Sequence, residues 1–556
     1  MKVENTGTVL GKGFTVRAVV WGIIVGVIVQ AGIYYMYMAM GFDFSASFLA
    51  ILLAMIFIPI IGGKASKFEV NIAQTTGSAF AAAAAAMSTT YIAAMQFGYD
   101  FNWLVFPVIA LLGAVMGFCV NSLLRRHLLY DKNLVFPESV ACAKVIEKVE
   151  KQSKFELKLL IIGVGAAFFV TILQEVAFIL PSNIDITRFL PDGFIFRISL
   201  AALPIGIGYI LGKKIGLFML IGALITNIIY APAGYSLGWF VNPAVDYSAF
   251  SQFNVSAFLG ITILGTIVFM FKNLKFKELT FKLSKPKIND AGGVFEEVPL
   301  KLVSILFATA FVVTIVFFYL VFATNPLMIL LAVILSIFLT YVVIRIKEQT
   351  GMGVFTFFHL IVLLVVILIV RDAIIAILVV SVTTGLSAAA SDTLTDYKTG
   401  QIINARPIDL FKAQFIGLIP GVFVGTGLMY LMILTRGIGT AEAPYVFAQL
   451  YYGTAAALTG AGDVFLNLNR FLVGGALGAL LSVFGLPYAV IGVAHYLPME
   501  IMMAGGLAGL VRGYVDKKWG EDLGQRYINL AGGLILGFSL VIVLALIVSL
   551  FTGTAM

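Results

Sequence analysis

Long apolar runs separated by short polar stretches fill almost the whole chain. A helix crossing the hydrocarbon core needs about 20 such residues. Runs of that kind lie near 16–40, 45–62, 72–96, 103–123, 156–181, 194–212, 214–232 and 252–271. They resume near 300–323, 326–344, 354–370, 373–390, 408–434, 444–460, 466–484, 488–511 and 528–551. The runs are long and do not alternate, so they predict helices and not barrel strands. The expected fold is an all-α polytopic membrane protein with roughly 16 transmembrane or re-entrant helices.

Polar, Gly-rich stretches interrupt this pattern at three places: Glu69-Val-Asn71-Ile-Ala-Gln74-Thr75, the Ser391-Asp392 to Thr399-Gly400 stretch, and Glu500 in His495-Tyr-Leu-Pro-Met-Glu500. Polar groups at membrane depth are expensive and face a cavity or a partner. A longer polar stretch, residues 272–299, divides the chain into halves, 1–271 and 300–556, expected to be two weakly similar transmembrane units. Gly206-Ile-Gly208-Tyr209-Ile-Leu-Gly212 in the first resembles Gly492-Val-Ala-His495-Tyr496-Leu-Pro498 in the second. Small-residue breaks at matching places in two halves point to a transporter binding site.

Composition agrees. Hydrophobic residues make up 61% of the 556 and charged residues 12%, about half the charge of a soluble domain. Mean hydropathy is +1.04. The net charge of +8 comes from Lys and Arg clustered in short loops, above all in 272–301. Alternate loops, 233–251 and 324–325, carry none. The alternation predicts a cytoplasmic N-terminus in the plasma membrane and no nucleic-acid partner. No cleavable signal is expected, because polar residues lead straight into a full span. Cys119 and Cys142 predict neither a disulfide nor a metal site, and His127 and His359 have no ligand spacing.

The candidate chemistry is acidic. Asp392 and Asp396 lie four apart, so on a helix they share a face, where they can bind a cation or hold a proton. The competing reading is a solvated helix end with an Asp–Lys398 pair. Glu500 sits in apolar sequence, where an isolated carboxylate can exchange protons, five residues after His495, a residue type that titrates near neutrality, so the two suggest a proton relay; the alternative is a structural hydrogen bond at a broken helix. Glu69 heads a helix whose Asn71, Gln74 and Thr75 offer neutral donors and acceptors, or it is a capped end in water. Phosphate-loop and common hydrolase signatures are absent, so neither ATP hydrolysis nor enzymatic activity is expected, and no cofactor.

These motifs, in order, resemble the oligopeptide transporter superfamily, in particular its prokaryotic members and the related yellow-stripe-like branch. The resemblance rests on Glu69-x-Asn71-x-x-Gln74-Thr75, Pro137-Glu-Ser139-Val-Ala-Cys-Ala143, Gly208-Tyr209, Ser391-Asp392 to Gly400 with Gln414 and Gly417, and Tyr496-Leu-Pro498-Met-Glu500. Ser139 stands where the family often has Gly, and the plant-type Asp near Glu500 is missing. The resemblance implies proton-coupled symport of small oligopeptides or, alternatively, of metal chelates of the siderophore or nicotianamine type. Asn71, Gln74, Thr75, Gly208, Tyr209, Ser391, Asp392 and Tyr496 are the expected substrate contacts. Glu69, Asp396, His495 and Glu500 are expected to couple the ion. A passive channel is the reading from another class; association into a homo-oligomer stays open.

Overall fold

The computed structural model describes residues 12–39, 46–60, 63–131, 134–151, 154–273, 298–350, 355–440, 443–460 and 467–552. Residues 274–297, nearly all of the polar stretch at 272–299, lie outside them. The first part of the chain forms α1 (Val16–Ala39), α2 (Ala46–Phe57), α3 (Lys67–Ala86), α4 (Ile92–Gln96), α5 (Val105–Leu129) and α6 (Pro137–Lys151). It continues with α7 (Lys154–Thr171), a two-stranded hairpin of β1 (Asn183–Asp185) and β2 (Arg197–Ser199), α8 (Ala202–Leu224), α9 (Ala231–Ser236) and α10 (Tyr247–Asn273). The later part forms α11 (Leu300–Phe322), α12 (Pro326–Thr350), α13 (Phe355–Val370), α14 (Ala373–Ile403), α15 (Pro407–Arg436) and α16 (Val446–Thr459). It ends with α17 (Leu468–Val483), α18 (Tyr488–Tyr496), α19 (Met499–Trp519), α20 (Glu521–Arg526) and α21 (Ile528–Thr552). Among the described residues, nine helices are long and apolar enough to cross a membrane, and the chain is all-α and polytopic as its pattern predicts.

Packing sorts these helices into two groups that cut across the division at 272–299. One group joins α1–α6 to α11–α16, chiefly through α5 on α14 and α3 on α15. The other joins α7–α10 to α17–α21, through α8 on α19, α10 on α17 and α7 on α21. The seam between the groups runs along α1 and α2 against α21, and α13 and α16 against α10. Lipid offers no hydrophobic drive for helix association, so close backbone approach takes its place. A Cβ on Gly113 or Gly117 of α5 would strike the carbonyls of Val382 or Leu386 on α14. One on Gly208 would fall on the backbone of Gly505.

Three boundaries differ from the hydropathy pattern. The run at 194–212 starts as strand and turn, and its helix begins only at Ala202. The run at 373–390 does not stop: α14 continues to Ile403, so Ser391–Gly400 interrupts the apolarity but not the helix. The hydroxyls of Thr384, Thr393 and Thr395 donate to the carbonyls of Val380, Ala389 and Ser391, which satisfies a polar run inside a helix without unwinding it. Finally, 488–511 is two helices, divided at Leu497-Pro498.

The expected break at Gly212 is present, with φ +79°. Only glycine takes this conformation without strain. Pro204 and Met219, on either side of Gly212, both approach Gly505 of α19, and Gly208 and Gly216 both approach Gly509. Residues that far apart on one straight helix could not meet a single residue, so the chain doubles back at Gly212. The break at Leu497-Pro498 ends α18 and starts α19, and both helices pack on α8.

Candidate substrate and ion site

Asp392 and Asp396 project from one face of α14, a turn apart. Asp396 is fully buried and Asp392 partly exposed. Ser47 Oγ of α2 lies 3.2 Å from Oδ1 of each carboxylate. Ser78 Oγ of α3 lies 2.9 Å from Oδ2 of Asp392 and 3.3 Å from Oδ2 of Asp396. The Gln74 amide donates to Asp396 Oδ1, and Gln414 Nε2 of α15 reaches Oδ2 at 3.4 Å. Asn71 Nδ2 in turn donates to Gln74 Oε1 at 2.9 Å. Four helices therefore converge on two acids that share their hydroxyl donors. No described Lys or Arg forms an ion pair with either acid. The carbonyl oxygens of Asn71 and Gln414 and the Thr75 hydroxyl are buried with no described partner.

Below the pair, Lys347 of α12 lies 2.9 Å from Glu138, at the start of α6, and donates to Ser391 Oγ at 3.1 Å and Thr395 Oγ1 at 3.4 Å. Ser139 fastens α6 to α14 twice. Its hydroxyl donates to the Thr395 carbonyl at 3.1 Å, and its carbonyl accepts from Thr399. Here a glycine could supply only the second bond. Lys398 does not pair with Asp392 or Asp396. It binds the Leu129 carbonyl and Gln401, and lies over the Phe136 ring. The solvated helix end with an Asp–Lys pair is therefore not what forms.

At the seam, a cavity of about 420 Å³ is walled by Phe48 and Glu138 from the first group and by Gly212, Arg512, Asp516 and Gln525 from the second. Phe48 is the neighbour of Ser47, and Glu138 is the partner of Lys347, so this space adjoins the acid pair. Arg512 Nε binds both oxygens of Asp516 at 2.7 and 2.9 Å, and Nη2 binds Gln525 at 3.1 Å. The Tyr209 ring lies 5.5 Å from the guanidinium.

The expected site residues thus fall into separate places. Asn71, Gln74, Ser391, Asp392 and Asp396 come together, with Thr75 buried beside them on α3. Tyr209 faces the seam cavity through Arg512, whereas Gly208 is a backbone contact. Glu69 is bonded to Arg17 Nε at 2.6 Å, Thr15 and the Ser66 amide, which ties the starts of α1 and α3. His495 meets Thr226 at 3.2 Å and the Tyr230 ring. Tyr496 stacks on Phe258 and reaches the Pro444 carbonyl. Glu500 opens α19, where Arg197 and Asp185 of the hairpin are its charged neighbours. His495 and Glu500 stand on opposite sides of the Leu497-Pro498 turn and share no hydrogen bond.

Sequence reading missed Ser47, Ser78, Glu138, Lys347 and Arg512. Ser78 had a signal, since 71, 74 and 78 repeat at helical spacing. Arg512 and Asp516 lie four apart, the spacing of a helical ion pair. Glu138 stood inside the Pro137–Ala143 motif without being singled out, and Ser47 and Lys347 carried no signal, because nothing local marks which helix α14 will face.

The model of the family described as OPT oligopeptide transporter protein matches residues 13–549. None of the curated proteins matches the chain in sequence.

Proposed function

Because the chain belongs to the OPT oligopeptide transporter family, we propose that it imports small oligopeptides by symport with protons, with Asp392 and Asp396 as the coupling pair. Membership makes it a multi-pass membrane transporter of peptides or related solutes, and not an enzyme. The observation that carries the coupling is the shared set of donors. Ser47 and Ser78 each touch both carboxylates, and neither carboxylate is in an ion pair with a described residue, the nearby Lys347 being paired with Glu138. Two like charges this close and out of water repel strongly. A proton taken up from the outside removes that repulsion, and one lost to the inside restores it. Because α2, α3, α14 and α15 all hold the pair, its charge state can shift their packing between two arrangements.

In this reading the N-terminus is cytoplasmic and the membrane is the plasma membrane. Asn71, Gln74, Ser391 and Tyr209 line the substrate path. Glu69, already neutralised by Arg17, fastens α1 to α3 and does not carry the ion. Glu500, at the turn between α18 and α19, is the second coupling candidate. The test is uptake into proteoliposomes under an inward proton gradient with Asp396→Asn. Accumulation is lost while peptide exchange persists. Gradient-driven accumulation by Asp396→Asn would refute the coupling role. Uptake of an iron chelate but of no peptide would replace the substrate class.

A further inference from the structure

Resting on that transport reading, we infer that the seam cavity binds both charged ends of a short zwitterionic peptide, Arg512 taking the carboxylate and Glu138 the ammonium. Arg512 is only 9% exposed, yet its Nη1 makes no hydrogen bond with any described residue and its side chain lines the cavity. The remaining nitrogens are held: Asp516 grips Nε and Gln525 grips Nη2. Asp516 and Gln525 thus fix the plane of the guanidinium and leave Nη1, with the second N–H of Nη2, unbonded on the edge away from Nε. That edge matches the two oxygens of a carboxylate in a bidentate pair. A guanidinium so buried, with a free donor facing a cavity, is oriented for an anion that enters there.

Glu138 stands on the opposite wall, in the first turn of α6, with its side chain 20% exposed beside Lys347. A peptide ammonium reaching it shares a carboxylate that Lys347 already orients. The two poles belong to different helix groups, so a ligand with both charges bridges the seam and one lacking either charge does not. Taken as equidimensional, a space of this volume is about 7–8 Å across, and an extended chain advances roughly 3.3–3.6 Å per residue, so di- and tripeptides match the span and longer peptides extend beyond it.

The test is calorimetric titration of the full chain in nanodiscs with trialanine, its C-terminal amide, its N-acetyl form and pentaalanine, with trialanine uptake measured in parallel. Trialanine binds about tenfold or more tightly than either capped form, the scale of a charge-assisted pair. Arg512→Gln erases the preference over the amide by weakening trialanine alone, and Arg512→Lys keeps part of it. Glu138→Gln erases the preference over the N-acetyl form. Melting curves confirm that each variant is folded, and Arg512→Lys supplies the answer where Arg512→Gln is not. If the preferences survive in both variants while trialanine is still taken up, or if pentaalanine binds equally well, the cavity assignment falls and the transport reading stands. If no peptide binds and an iron chelate is taken up, both fall.

Discussion

Gln74 on α3 donates its side-chain amide to the carboxylate of Asp396 on α14, 322 positions along the chain. The bond joins two polar stretches that apolar sequence separates, and Asn71 extends it by one link. It makes the two motifs one site.

Gln74→Leu leaves a buried carboxylate oxygen short of a donor. Ser47 still donates to that oxygen, so the cost is that of one hydrogen bond to a charged group, about 1.5–3 kcal/mol. A lower melting temperature is expected, together with a changed pH profile of uptake. Gln74→Glu, which adds a third acid, is expected to be worse. If the pH profile of Gln74→Leu matched the parent, the bond would be structural only.

Glu69 lies in the first turn of α3, ahead of the apolar run. The Arg17 hydrogen bond holds its carboxyl down to about 2, against burial, with help from the Ser66 amide and Thr15. A lowered carboxylate stabilises the fold above its ordinary value, 4.5, and that contribution fades as pH falls towards 2. Glu69→Gln should therefore lower stability at pH 7 by about 1 kcal/mol, below the usual range for a hydrogen bond to a charged group because its partner Arg17 is part-exposed. It should also flatten the acid limb of the melting curve. An unchanged acid limb would contradict this.

Glu348, near the end of α12 and beyond its apolar span, is fully buried, and neither carboxylate oxygen has a described hydrogen-bond partner. Burial pushes it up to about 7; Lys347 and Lys398 oppose the rise, and Glu138 adds to it. The sign is opposite to that of Glu69, because the folded state holds the proton more tightly than the unfolded state. Stability is lost as pH climbs from the ordinary carboxylate range to about 7. Glu348→Gln is expected to stabilise the protein at pH 8 by about 3 kcal/mol and to leave pH 4 unaffected. Thermal melts at the two pH values decide the matter.

Gly208→Ala places a methyl on the Gly505 backbone. Overpacking of this kind costs about 1–3 kcal/mol, and here it also forces α8 from α19. Uptake should fall with stability. Gly165→Ala and Gly427→Ala, where a Cβ meets nothing within 4 Å, are the matched controls and should be neutral. Equal loss in all three would mean that general helix flexibility, not this contact, is at stake.

The sequence by itself determined the solvent, the helical class, the break at Gly212, and the acid pair on one helix face. Each follows from local rules: the length of apolar runs, the backbone freedom of glycine, and a repeat of 3.6 residues per turn. The tertiary structure decided which acids have company. Glu69 and Asp396 look alike in sequence, yet one meets Arg17 and the other meets Gln74, Ser47 and Ser78. It also decided that Ser391–Gly400 stays helical, that Arg512 opens into a cavity, and that helices from both sides of 272–299 pack together. These depend on which faces meet across hundreds of residues. In lipid that choice is made by close fit between small residues, which leaves no periodic trace along the chain.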